Sequence, residues 1–458
     1  MSYNIAIPEK INNVLKEHLL RRDGQEDLCF ALWKPSTGAQ RKTGLIYDVV
    51  LPDDGDRQVH GNASFNPEYL DKAMSRALSE GSGIAFLHSH LTPGWQDMSE
   101  PDVSAELSIS PAVKAVTNLP LIGLTTGTDG SWSARFWIKH NQSYEREWCT
   151  SVRVVGSGLD ITYNDFLLPI PTFKEEFKRT RSAWGDLTQS NIMRLKIGVI
   201  GLGSVGSAVA EMLARMGVQD ITLIDHDYIE RHNLDRHLQA SQADIGKRKV
   251  AVVADKLSKV STSDSFSVKA LPNSVCENEG YLAALDCDLL FSCVDRPWPR
   301  HVLNSIAYWH LIPVIDGGIG ITKTKEHRLQ SADWKAHAVG PEKICLLCMD
   351  QYDTDEVTLE RQGMLDDPEY IESLPDDHAL KRNENVIPFS LNLASLQIFH
   401  ALRMMVKPLG ISDVGNLNFH FVSGVIDVEH ALECSKECLF SQNIAAGDKI
   451  SKEYPVID

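Results

Sequence analysis

Residues 195–237 read LKIGVIGLGSVGSAVAEMLARMGVQDITLIDHDYIERHNLDRH, and this run decides the architecture. The apolar stretch 197–200 fits a short buried strand, and Gly201, Gly203 and Gly206 follow it in G-x-G-x-x-G order. A helical pattern continues from Ser207 to about Met216, with Gly217 as its stop. A second apolar stretch, 221–224, ends in Asp225, nineteen residues beyond Gly206. Strand, glycine loop, helix and strand make a β-α-β unit with a nucleotide-binding fingerprint. Gly201 permits the tight turn, Gly203 lets backbone approach phosphate, and Gly206 lets helix pack on strand. The helix N-terminus offers unpaired N–H groups to an anion. Asp225 stands where a carboxylate can meet ribose hydroxyls.

The fingerprint alone suits NAD or FAD, which makes a dehydrogenase the default competitor. The residues that follow point elsewhere. Asp225-His226-Asp227 leads into Asn233-Leu234-Asp235-Arg236, with Arg236 suited to a bidentate phosphate contact. Gly246-Lys247-Arg248-Lys249 then adds cations at the start of another helix, more than a pyrophosphate needs. This order of glycine loop, D-x-D, N-L-x-R and G-x-x-K resembles the ubiquitin-activating-enzyme superfamily, which includes the ThiF/MoeB-type adenylyltransferases of thiamine and molybdopterin biosynthesis. The resemblance covers 177–438 and implies a Rossmann-like adenylation domain with a mostly parallel sheet.

It also implies ATP with Mg²⁺, and a nucleotide site of Gly201, Gly203, Gly206, Asp225, Asp227, Asn233, Arg236 and Lys249. The apolar stretch 288–294 ends in Asp295, which matches the family's carboxylate toward Mg²⁺ and the α-phosphate; Arg300 closes a D-x-x-x-x-R pattern. Arg179 best matches an arginine that crosses a homodimer interface to the neighbour's ATP, with Arg181 as the alternative. Cys345-x-x-Cys348 and Cys434-x-x-x-Cys438 supply four thiolates from two loops, the donor set of a closed structural zinc site. Between Cys348 and Cys434 there is no cysteine, where thioester-forming members keep their nucleophile. Ser390 is a candidate for an oxyester instead, or simply a helix-start serine.

The chain has 458 residues, room for two or three domains. Hydrophobic content of 43% and charged content of 23% are those of a globular protein. No apolar run is long enough for a membrane span, and the first residues lack signal-peptide organisation, so a cytoplasmic protein is expected. The net charge of −17 disfavours nucleic acid as a partner. It is uneven: 349–377 holds eleven acidic residues against Arg361 alone, which reads as a solvated loop or as a lid that meets a basic partner. Nine cysteines, an odd number, do not suggest a disulfide framework.

A second chemical signal lies near the N-terminus. His88 and His90 are two apart at the end of an apolar stretch and so share a face. Ser99-Glu100-Pro101-Asp102 follows, a helix-capping pattern that also brings a carboxylate. Two imidazoles and one carboxylate suit zinc with an open fourth position. The H-x-H…S-x-x-D arrangement resembles the JAMM (JAB/MPN) metalloproteases, α+β domains that cleave isopeptide bonds to ubiquitin-like proteins. The resemblance implies His88, His90 and Asp102 as metal ligands, Glu26 as general base at the opening of a strand, and Ser99 as oxyanion support.

The expected organisation is therefore a JAMM-like domain at 1–150, a linker at 151–176 and an adenylation domain at 177–458. The expected activity is adenylation of a ubiquitin-like protein with a glycine C-terminus, joined in one chain to a peptidase that trims or removes it. That combination resembles bacterial ubiquitin-like pathways, some linked to phage defence, in which a conjugating enzyme is a further partner. Two other readings stand beside it: sulfur-carrier activation for cofactor or natural-product synthesis, and a non-catalytic scaffold with vestigial domains.

Overall fold

The apolar stretches at 197–200, 221–224 and 289–292 form strands buried on both faces, the pattern of a parallel sheet covered by helices. The computed structural model describes residues 1–60, 62–326, 328–374, 384–430 and 433–457. The chain divides into two compact units. The first comprises Met1–Ile170, Trp309–Leu311 and Asn443–Tyr454; the second comprises Pro171–Tyr308, Ile312–Gln442 and Pro455–Asp458.

The first unit is α+β. Its elements are β1 (Ser2–Pro8), α1 (Glu9–Leu19), β2 (Leu28–Thr37), β3 (Arg41–Val50), β4 (Arg57–His60), β5 (Asn62–Phe65), α2 (Pro67–Glu80), β6 (Gly83–Ser89), α3 (Glu100–Thr117), β7 (Leu121–Thr126), β8 (Trp132–His140), β9 (Ser143–Trp148), β10 (Ser151–Val155) and β11 (Leu159–Tyr163). Nine strands form one mixed sheet in the order β11-β10-β1-β3-β2-β6-β7-β8-β9. Apolar side chains from its two faces build separate cores, one around Ile5, Trp33 and Trp132 and one around Phe30, Tyr69 and Phe86. β10 pairs parallel with β1, so the stretch expected as a linker from 151 begins as part of this sheet. Proline at the first helical position starts α2 after Asn66, and Gly81 in the left-handed region ends it.

The second unit is α/β. It contains α4 (Lys178–Trp184), α5 (Asp186–Arg194), β12 (Lys196–Ile200), α6 (Ser204–Arg215), β13 (Asp220–Ile224), α7 (Lys249–Val260), β14 (Ser267–Leu271), α8 (Asn278–Ala284), β15 (Leu289–Ser292), α9 (Pro297–Trp309), β16 (Val314–Lys323), β17 (Leu329–Val339), α10 (Thr354–Arg361), α11 (Pro368–Ser373), α12 (Ile387–Val406), β18 (Asn416–His420), β19 (Val425–Glu429) and α13 (Leu439–Gln442). The last helix, α14 (Gly447–Glu453), groups with the first unit. The sheet order is β14-β13-β12-β15-β16-β17-β18-β19, parallel from β14 to β16 and antiparallel beyond. The chain runs outward from β12 through β13 to β14, then returns to the other side of β12 with β15. That reversal is a topological switch point, and ligands of open α/β sheets bind outside the strand carboxyl ends there.

Among the described residues, no helix is long and apolar enough to cross a membrane. The acidic stretch is ordered as α10, a 3₁₀ turn at Met364–Asp366 and α11; its last residues, 375–377, lie outside the described residues.

Burial holds His301 and His400 down at about 4, and nearby guanidinium charge adds to the effect at His301. Both are neutral in the fold and near 6.5 when unfolded. Their folded values are depressed, so the unfolded chain binds more protons as pH falls below about 6.5, and stability is lost from there toward pH 4. Chemical denaturation of the second unit is expected to show a midpoint at pH 5 clearly below that at pH 7, with on the order of 1–2 kcal/mol lost per histidine. Equal midpoints would contradict this.

Candidate functional site

The switch point lies between β12 and β15. The glycine loop leaves β12, and Gly201 takes φ +84°, a conformation that favours glycine. A side chain at Gly206 would place its Cβ 1.9 Å from the Gly201 carbonyl oxygen, so only glycine lets α6 approach the loop. Around Gly203 there is open space, which leaves its backbone free to approach a phosphate. α6 begins at Ser204, three residues earlier than its apolar pattern suggests, and no side chain caps its N-terminus. Its first N–H groups therefore remain available to an anion.

Asp225 follows β13 and is nearly buried. Its carboxylate accepts from the Leu202 N–H at 2.5 Å and the Asp227 N–H at 2.7 Å, which ties the glycine loop to the D-x-D turn. The Asp227 carboxylate pairs with Lys249 Nζ at 2.7 Å. Burial works to raise Asp227, but the Lys249 bond and charge, with His226 and Arg296, hold it below the usual carboxylate range. Asp225, His226 and Asp227 also bring three potential metal-ligand atoms within 4.8 Å of one another.

On the other side of β12, Asp295 lies three residues beyond β15. It is exposed and makes no hydrogen bond or ion pair among the described residues, so its carboxylate is available to a ligand. Asn233 and Arg236 are engaged within their own loop. Asn233 Oδ1 accepts from the Glu230 N–H at 2.9 Å, and Arg236 donates to the His232 carbonyl at 2.6 Å and pairs with Asp235 at 2.9 Å. The next residue, His237, was not legible as functional. It is buried and held neutral by that burial, and its Nε2 meets the Leu202 carbonyl at 3.0 Å. It braces the glycine loop from a position 35 residues away.

Of the two arginines on α4, Arg181 is bound to Asp186 at 2.7 Å and stacks over Phe173. Arg179 is exposed and without an ion pair among the described residues. Arg300 Nη2 donates to the Gly317 carbonyl at 3.3 Å, and its Nε lies 3.6 Å from the buried Asp316. Ser390 is fully buried and bonds with Ser204 and Asn385 at 2.9 and 2.8 Å. It fastens α12 to the start of α6, and its hydroxyl is inaccessible in this fold.

The four cysteines come together. The sulfurs of Cys345, Cys348, Cys434 and Cys438 all lie within 4.8 Å of one another, despite the extra residue in the second pair. The Cys345 N–H donates to Cys434 Sγ at 3.2 Å, and the Cys348 N–H to Cys345 Sγ at 3.3 Å. No disulfide joins them. Sulfurs gathered without a bond between them fit a tetrahedral thiolate site for Zn²⁺.

In the first unit, β6 carries His88 and delivers His90 just past its end. Their Nε2 atoms are 3.2 Å apart. Asp102 Oδ2 lies 3.2 Å from His90, and Oδ1 lies 3.5 Å from His88. Ser99 and Asp102 do form a capping box at the start of α3: Ser99 Oγ donates to Asp102 Oδ2 at 2.7 Å and accepts from the Asp102 N–H at 3.3 Å. The cap and the ligand cluster are one construction, because capping fixes Asp102 where it faces the imidazoles. Burial would raise the Asp102 carboxyl, but His88, His90 and Ser99 hold it well below the usual range. The donor set of two imidazole nitrogens and one carboxylate fits zinc, with Ser99's proton committed to Asp102 until displaced.

Glu26 lies just before β2 rather than within it. β2 and β6 are antiparallel with Leu28 opposite His88, and the ladder continues through the Ser89 N–H to the Asp27 carbonyl at 3.0 Å. That register sets Glu26 opposite His90 and on the same face, since side chains alternate with period two. A buried network stands behind the cluster. Glu106, one turn beyond Asp102, accepts from Arg135 Nε at 3.0 Å and Trp137 Nε1 at 2.6 Å; Arg135 Nη1 donates to Thr125 Oγ1 at 2.6 Å. Thr125 Oγ1 in turn lies 3.3 Å from His88 Nε2.

The second unit thus joins an uncapped glycine loop and a carboxylate unpaired among the described residues at the switch point of a largely parallel sheet, an arrangement that suits a nucleotide-binding α/β protein. Residues 177–422 match the ThiF family, and the chain belongs to it. The molybdopterin-synthase adenylyltransferase of Escherichia coli (strain K12) is 30% identical over 124 residues, 27% of this chain and 48% of that protein. The ubiquitin-like modifier-activating enzyme 5 of Drosophila melanogaster is 26% identical over 180 residues, 37% of this chain and 43% of that protein. The chain spans less than half the length of these curated relatives. A crystal structure of E. coli MccB with SeMet MccA aligns at 20% identity and a TM-score of 0.46, covering 59% of this chain and 75% of MccB.

Proposed function

We propose that the second unit adenylates the C-terminal carboxylate of a small ubiquitin-like protein with ATP and Mg²⁺. The observation that carries this reading is the pairing of an open glycine loop with the unpaired Asp295 carboxylate across one switch point, in a chain of the ThiF family. Phosphate would rest on the α6 N-terminus, with Asp225 toward the ribose and Lys249, Asn233 and Arg236 toward the nucleotide. Mg²⁺ would neutralise phosphate charge, and Asp295 is the residue to hold it. A slender glycine tail would suit a close approach to backbone at Gly318, whereas Gly317 is buried against Gln397 and Leu393. Arg179 is free to reach a second copy's nucleotide, which favours a homodimer. ATP–pyrophosphate exchange that depends on a glycine-ended ubiquitin-like protein tests this; exchange that needs no such protein contradicts the substrate class.

The first unit, on this reading, is a JAMM-like peptidase that trims or removes the same modifier. His88, His90 and Asp102 would hold zinc, which supplies a Lewis acid. Glu26, opposite His90 in the β2–β6 register, would take a proton at its carboxylate. The sharing of one substrate class by both units is the reason to join them in one pathway, of the bacterial ubiquitin-like kind linked to antiphage defence, with a conjugating enzyme downstream and in the cytoplasm.

Purified chain is expected to carry two zinc ions. His88→Ala should lose one ion and leave thermal unfolding of the second unit unchanged. Cys345→Ser should lose the other and lower that unfolding temperature. Elemental analysis beside calorimetry checks both, and one ion or none in the wild type would contradict the assignment.

A sulfur-carrier substrate is the second reading, favoured by the likeness to a molybdopterin-synthase adenylyltransferase. It uses the same adenylation and differs in requiring a sulfur-transfer partner.

A further inference from the structure

Arg296 is the one residue between Asp295 and the start of α9, and nothing in the family pattern assigns it a task. The sheet order places it. β13 and β15 flank β12, so the D-x-D turn lies on one side of the glycine loop and Asp295-Arg296 on the other. Arg296 directly follows Asp295 beyond the carboxyl end of β15, at the switch point where ligands of open α/β sheets bind. A guanidinium beside the Asp295 carboxylate at such a switch point has the chemistry of a phosphate ligand.

In this structure the guanidinium is already occupied. Arg296 Nη1 pairs with Asp366 Oδ1 at 2.7 Å and lies 4.0 Å from Glu360 Oε1. Both carboxylates belong to the acidic stretch. Glu360 also accepts from the Trp298 N–H at 2.8 Å, at the N-terminus of α9, and Arg361 lies over the Trp298 ring. α10 and the turn after it are therefore docked beside Asp295, and Asp366 stands in for an anionic oxygen. Asp366 is largely exposed, so this contact gives way more readily than a buried pair would.

We propose that Arg296 exchanges Asp366 for the β,γ-phosphate end of ATP, so that nucleotide binding frees the turn at Met364–Asp366 and the arginine then holds the leaving pyrophosphate. This rests on the adenylation reading. In that reaction a carboxylate oxygen attacks the α-phosphorus and the bond to the bridging oxygen breaks. Pyrophosphate leaves with the bonding pair, and the guanidinium donates N–H groups to its new charge.

Direct binding and exchange assays test it. Arg296→Ala is expected to raise the ATP Kd about ten- to a hundredfold while leaving the AMP Kd within about twofold. Asp366→Asn is expected to tighten ATP several-fold, again without effect on AMP, and ATP but not AMP should speed proteolytic cleavage near 364–366. Arg296→Lys should recover part of the ATP affinity by restoring charge. Equal weakening of ATP and AMP by Arg296→Ala would overturn the proposal and make the pair structural, as would an unchanged ATP affinity in Asp366→Asn. A chain that binds ATP but catalyses no exchange sinks the adenylation reading, while the Kd comparison still decides the role of Arg296.

Discussion

Asp295→Ala is expected to cut pyrophosphate exchange by about 10²–10³-fold, on the scale of removing one electrostatic stabiliser from a reacting centre. The carboxylate is exposed, lies beyond the carboxyl end of β15, and is bound to nothing among the described residues. A residue that held the fold together would have bonded partners, and among the described residues Asp295 has no hydrogen bond or ion pair to lose. The variant should therefore unfold at the wild-type temperature, which separates chemistry from stability. Asp295→Asn keeps the shape and removes the charge, and should fall nearly as far. Exchange within about threefold of wild type in both variants would move the metal to the Asp225-His226-Asp227 turn instead.

Glu106→Ala is expected to be the most destabilising single change in the first unit. Arg135 and Glu106 are both wholly inaccessible, and Glu106 also accepts from Trp137. Removing one partner leaves a buried guanidinium unpaired, a loss of roughly 3–5 kcal/mol. At about 2–4 °C per kcal/mol for a unit of this size, the melting temperature should drop by on the order of 10 °C. The same change frees α3, which carries Asp102, so metal affinity at His88 and His90 should fall with it. Replacing both partners, Glu106→Leu with Arg135→Met, should recover much of the stability because no charge is stranded. Calorimetry of the three proteins checks this; a single variant that melts within about 2 °C of wild type would contradict it.

Much of the second unit was legible because its signals are local. Gly201 and Gly206 are demanded by contacts within one β-α-β unit, and the apolar stretches of β12, β13 and β15 are short and continuous. The approach of His88 and His90 to Asp102 was legible from strand alternation and a capping pattern twelve residues on. What escaped depends on partners far along the chain. His237 bracing Leu202, Arg135 meeting Glu106, and Arg296 meeting Asp366 leave no periodic trace. Glu26 became placeable only through the β2–β6 register, which no spacing within β2 reveals. The grouping of Asn443–Tyr454 with the first unit is of the same kind.

If the chain acts as proposed, it turns a protein C-terminus into a mixed anhydride with AMP. The direct measurement is intact mass spectrometry of glycine-ended β-grasp proteins incubated with the chain, ATP, Mg²⁺ and hydroxylamine. A hydroxamate at the last glycine of one of them, absent without ATP and absent with Asp295→Ala, is the predicted result. Partner masses unchanged across the panel, under conditions in which the chain binds ATP, would contradict the claim.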